Sequence, residues 1–168
     1  MRFLIAVAAA VFAMLSPGYA EAQSWQEFQP KDAGFRIEMP GKPELKTEER
    51  NGRPTYSATV GLDKSVAGAD LVFLVKYQEA NRKPGPESEG VLDNVVKAMA
   101  EGGKLLSVNK ESLGGYPARR FAVEDADKDN SEMRSVITDR HFVQILFLGP
   151  SGNPLGKRFL DSFAIIEP

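Results

Sequence analysis

The run Leu71-Val72-Phe73-Leu74-Val75 carries no polar residue at either alternating position. A strand points successive side chains to opposite sides of its sheet, so this run is buried only if both sides are covered. It is expected at the centre of a sheet with a layer on each face.

On its N-terminal side, Phe35-Arg36-Ile37-Glu38-Met39 alternates apolar and charged residues before Pro40-Gly41, the pattern of a half-buried strand ended by a turn. Lys42 to Arg50 is polar but extended in character. Asn51-Gly52 signals a hairpin into Thr55 to Leu62, where Tyr56, Ala58, Val60 and Leu62 line one face, and a loop follows around Ala67-Gly68. Beyond Pro84 to Pro86 the period changes. Val91, Leu92, Val95, Val96 and Met99 recur at helical spacing, with Ser88 as the expected N-cap, Gly90 as a weak point and Gly102-Gly103 as the stop.

Strand patterns return at Leu105 to Glu111, Ala118 to Glu124, Met133 to Thr138 and His141 to Leu148, separated by Gly114-Gly115 and the acidic segment Asp125 to Asn130. Asn153-Pro154 then opens a second helix with Leu155, Phe159, Leu160 and Phe163 as its stripe, and Ala164 to Ile166 is extended. Runs of strands with two separated helices predict an α+β single domain: a mainly antiparallel β-sheet sandwiched by helices.

The first residues read as an export tag. Arg2 precedes the apolar run Phe3 to Leu15, Ser16-Pro17-Gly18 breaks it, and Ala20-Glu21-Ala22 is a small-x-small cleavage pattern. The run falls short of the roughly 18 residues that cross a bilayer. We expect a signal peptide at 1–22, cleaved after Ala22, and one domain at 23–168, with no membrane span. The chain has no cysteine, so it uses neither disulfides nor a lipid-attachment thiol. These features point to a soluble periplasmic protein, with full secretion as the other destination. A formal charge of -2 offers no pull toward nucleic acid, and Arg119-Arg120 and Lys157-Arg158 are expected to be solvated basic pairs.

Motifs for chemistry are sparse. His141 is the single histidine, which excludes multi-histidine zinc sets and predicts a strand-end hydrogen-bonding role over catalysis. Ser107-Val108-Asn109-Lys110 matches a Ser-x-x-Lys pattern, but on a strand residues three apart face opposite sides. Gly149 to Asn153 is a strand-to-helix connection, not a nucleophile elbow. Asp125, Asp127 and Asp129 repeat every second residue, yet Asn130 and Val136 stand where a calcium loop needs glycine and glutamate; a solvated hairpin tip is expected, with a non-standard calcium site as the alternative. No catalytic, cofactor-binding or metal set is assigned. The interaction candidates are His141, Arg119, Arg120 and Tyr116.

Three segments, Ala33-Gly34-Phe35-Arg36-Ile37-Glu38-Met39-Pro40-Gly41-Lys42-Pro43, Leu113-Gly114-Gly115-Tyr116-Pro117-Ala118-Arg119-Arg120 and Arg158-Phe159-Leu160-Asp161-Ser162-Phe163, give the chain its likeness to a known group. On them it resembles a broad set of exported bacterial proteins related in architecture to the Mog1/PsbP-like fold. That resemblance implies an α/β/α sandwich and relatives that act mostly as binding or assembly partners of other proteins. The expected role is therefore a periplasmic binding or assembly module for a protein or envelope component. The alternatives are a hydrolase with a carboxylate or His141 site assembled from distant segments, or a small-molecule carrier. The carrier needs a void that Met99, Phe159 and Phe163 are better suited to fill.

Overall fold

Leu71 to Val75 lies inside the sheet, all five residues paired with one neighbouring strand and Val72 to Val75 also with the other. The computed structural model describes residues 24–50, 52–80, 83–125 and 128–166; the expected signal peptide with its expected cleavage after Ala22, Asn51 and Asp127 lie outside these. Its strands are β1 (Gln26–Phe28), β2 (Phe35–Met39), β3 (Glu44–Arg50), β4 (Arg53–Leu62), β5 (Leu71–Glu79), β6 (Lys104–Leu113), β7 (Tyr116–Glu124), β8 (Asn130–Ile137), β9 (His141–Leu148) and β10 (Ala164–Ile165). The helices are α1 (Lys64–Ala67), α2 (Pro86–Met99) and α3 (Pro154–Asp161).

Seven strands form one antiparallel sheet in the order β3-β4-β5-β9-β8-β7-β6, and β1-β2-β10 form a second, smaller sheet. Hairpins account for the strand order at both flanks. Gly52, at φ +74°, lies between Arg50 and Arg53, which pair across β3 and β4. Gly114 and Gly115 sit at φ +58° and +85° between the paired Leu113 and Tyr116, the two consecutive left-handed residues that a tight, right-twisting hairpin demands.

Register fixes which residues share a face. Ala58, Val60 and Leu62 of β4 stand opposite Val75, Phe73 and Leu71 of β5, and Phe73 and Val75 stand opposite Phe147 and Ile145 of β9. This first face is buried beneath β2 and α3, where Phe35, Ile37, Met39, Phe159, Leu160 and Phe163 complete the main core. Phe73 anchors it, with ring centroids 5.3 Å from both Phe147 and Phe159. Full burial of each such ring contributes about 1.5–3 kcal/mol. The second face carries α2, which packs mainly on β7 and less on β8.

The structure thus bears out a single domain dominated by antiparallel sheet, and it modifies the sandwich. One covering layer is α2, whereas the other is α3 together with the three-stranded sheet. β1 has no signal in its short sequence. Because α2 packs mainly on β7 and β8, Val72 and Leu74 on its side of β5 stay partly exposed. Met99, expected to fill core, is 40 % exposed at the end of α2.

Capping differs between the helices. Asn153 caps α3 as expected, its side chain accepting the Leu155 N–H at 2.9 Å ahead of Pro154. Ser88, expected as the N-cap of α2, is instead its third residue: the helix starts at Pro86, and the Ser88 hydroxyl reaches back to accept the Gly85 N–H at 3.0 Å. Proline at the first helical position needs no N–H partner, so the helix gains a turn over the expected start. The loop expected around Ala67-Gly68 holds the single turn α1, capped by Asp63.

Candidate interaction surface

Tyr116, Arg119 and Arg120 sit on β7 and His141 begins β9, so all four candidates belong to strands that share the β8 neighbour. They do not converge on one site. Arg119 and Arg120 are consecutive in a strand and point to opposite faces.

Arg119 has no exposed surface (0 %) and lies under α2. Its Nε donates to Asp93 Oδ1 at 2.8 Å and its Nη2 to Glu89 Oε2 at 2.5 Å. Burial disfavours the charge, but these hydrogen bonds outweigh it and raise the guanidinium's pKa, while the same bonds hold both carboxylates below their ordinary values. Arg120, on the other face, donates to Asp161 Oδ1 of α3 at 2.5 Å. Burial acts against the Asp161 carboxylate, but bonds from Lys157 and Arg120 prevail and lower its pKa. Arg134, the cross-strand partner of Arg120, donates to the Leu160 carbonyl at 2.6 Å and to Glu111 at 2.9 Å. That carbonyl lies in the last turn of α3, where a cation complements the helix dipole.

The expectation of a solvated Arg119-Arg120 pair is therefore corrected. Each arginine fastens a helix to the sheet, on opposite sides of the same strand. Sequence reasoning missed Arg134, Glu89 and Asp93. The spacing of Glu89 and Asp93, one helical turn apart, was the available signal that both face one partner.

His141 packs edge-on against Tyr77, ring centroids 5.7 Å apart, and stands opposite Glu79. Burial lowers its pKa, and a hydrogen bond to the Ala33 backbone opposes that shift. Its Nδ1 is buried without a hydrogen-bond partner. A neutral imidazole wedged between the main sheet and the segment leading into β2 fits this setting. Tyr116 donates its hydroxyl to Asp139 Oδ2 at 3.0 Å across the turn between β8 and β9.

Among the described residues of the acidic turn, Asp125 and the neighbouring Glu124 use their carboxylates locally. Asp125 Oδ1 accepts the Asp129 N–H at 3.0 Å, and Lys128 pairs with Glu124 at 3.1 Å. Asp70, Asp125 and Asp129 border a recess of about 560 Å³ that Lys128 also lines. No group of three or more metal-ligating side chains occurs among the described residues. Nor is any helix among them long and apolar enough to cross a membrane. Ser107 and Lys110 lie on strand β6, opposite Ala122 and Arg119 and hence on different faces, as expected.

The two edges of the large sheet differ in chemistry. β3 is exposed along its length and carries Glu44, Lys46, Glu48, Glu49 and Arg50, the charges that discourage pairing with another chain. β6 is also largely exposed, but Leu105, Leu106 and Val108 are 41 %, 41 % and 47 % exposed along it. A register shift between Leu105 and Ser107 interrupts its pairing with β7, and from Ser107 to Leu113 the ladder is regular. The open backbone edge and the apolar side chains together make β6 the best candidate interaction surface. Compared with protein-family models and with curated proteins, the chain matches none.

Proposed function

We propose that the chain is exported, loses residues 1–22, and works in the periplasm as a soluble binding or assembly module. It recognises an extended segment of a protein or envelope component along β6. The observation that carries this reading is the exposed pair Leu106 and Val108 on a ten-residue edge strand that has a neighbour on one side only. Added strands gain main-chain hydrogen bonds for affinity and side-chain contacts for specificity. The resemblance to the Mog1/PsbP-like proteins supports the same reading, because those relatives serve mostly as partners of other proteins.

The test places a photo-crosslinking residue at Val108 and, separately, at Lys46 on the charged edge. A discrete adduct at 108 that is absent at 46, and is lost when Leu106 is replaced by lysine, is the expected outcome. Equal labelling of both edges refutes the site. Recovery of a product beginning at Gln23 from the periplasmic fraction tests the location.

A further inference from the structure

We infer that α2 is a latched flap, able to lift off β7 and β8 as a unit while the rest of the domain stays folded. The main core draws on β2, β4, β5, β7, β8, β9 and α3, and none of its residues comes from α2. The helix is held outside that core by its own buried residues Leu92 and Val96, Val96 clustering over Phe121, Val123 and Met133 with Val95, Ala100 and Leu146 at the margin. Two separate clusters make two units of unequal cohesion, and the smaller one opens at lower free energy.

The latch is Arg119. Apolar groups beneath a lifted helix lose their burial outright, but a guanidinium released from Asp93 and Glu89 regains its hydration. Part of the cost of breaking these bonds is thereby returned. Both carboxylates are already half exposed, at 47 % and 45 %, so water reaches the latch before the helix moves. Lys110 of β6 adds an outer contact to Glu89 at 3.3 Å.

The flanks of α2 suit a moving element. Gly85 precedes it in an extended conformation, and Gly102 follows it at φ +82°. Gly103 marks the fixed end, since an added Cβ there would meet the Glu124 carbonyl oxygen at 2.6 Å. Lifting α2 would uncover Phe121, Val123 and Met133 as an apolar surface next to β6.

Hydrogen exchange on the folded chain tests this. The Val95 and Val96 amides, in mid-helix, are expected to exchange about a hundred-fold or more faster than those of Phe73 and Ile145, and with a weaker dependence on urea. Asp93→Asn keeps the side chain's size and removes its charge. It is expected to speed exchange in α2 about ten-fold or more, since hydrogen bonds to charged groups contribute that much, and to leave Phe73 and Ile145 unchanged. Equal protection and equal urea dependence of helix and central strands in the unmodified chain overturn the inference. So does an Asp93→Asn variant that changes all sites equally or none. If the variant does not fold, the comparison within the unmodified chain still decides.

Discussion

Replacing Gly156 by alanine sets two effects of opposite sign against each other in one residue of α3. Alanine in a helix interior is favoured over glycine by about 1 kcal/mol. Yet Gly156 is buried, and a Cβ there would stand 2.4, 2.5 and 2.7 Å from three ring atoms of Phe147, where carbon atoms rest at about 3.5–4.0 Å. The ring has no room to retreat: Phe147 is fully buried and lies 5.3 Å from Phe73, which is held in turn by Phe159. Either α3 lifts by about an ångström or the ring leaves its rotamer, and overpacking of this kind costs about 3 kcal/mol, the upper end of its usual range. Subtracting the helical gain leaves a net destabilisation of about 2 kcal/mol, or a fall in Tm of about 4–8 °C for a domain of this size. Urea and thermal unfolding of residues 23–168 measure it. A Gly156→Ala variant as stable as the parent, or more so, would refute the close-packing argument. Adding Phe147→Leu should recover part of the loss, since the two positions share one contact.

The same substitution at Gly90 of α2 should act the other way. Nothing lies within 4 Å of the added Cβ, so Gly90→Ala should stabilise by about 0.5–1 kcal/mol, read as a raised urea midpoint. Removing Arg134, which is buried and holds both Glu111 and the end of α3, should cost about 2–4 kcal/mol as alanine, whereas Arg36→Ala, which breaks an exposed pair with Glu27, should stay within about 1 kcal/mol by the same measurement. Burial depresses the His141 pKa below 6.5, so the unfolded chain binds this proton more readily than the folded one. Stability from His141 is therefore complete above pH 6.5 and is lost as the pH falls from there through the folded value; His141→Gln should flatten the decline in urea midpoint between pH 7 and 5, and an unaltered slope would count against the buried imidazole.

What the chain discloses before folding follows from the range of the interactions involved. β2, β4 and β5 are legible because alternation or a continuous apolar run is a local pattern, and α3 because Asn153-Pro154 is a local cap. The roles of Arg119, Arg120 and Arg134 are not legible. Their partners lie 30 or fewer residues away for Arg119 but 41 away for Arg120, and only the register of β7 between β6 and β8 decides which face each arginine takes. Met99 fits the apolar stripe of α2, yet as the last residue of that helix it is exposed. The small sheet was hidden for a related reason: β1 and β10 have three and two residues and exist only because β2 is there to pair with. Of the interaction candidates, Arg119 and Arg120 fasten helices to the sheet, and the exposed edge of β6 emerges only once the strand order is known.

β2 stands near the beginning of the described chain, and its pairing partner β10 near the end, at Ala164 and Ile165. With α3 immediately before β10, the cover of the Phe73 and Phe147 face is assembled from one element that precedes the large sheet in the chain and one that follows it. During synthesis β2 is made before the strands it covers but α3 only after them, so part of that face stays bare until α3 has been made. Such a chain completes its folding late, and a nascent product halted before Asn153 should be sticky and readily captured by a holding chaperone.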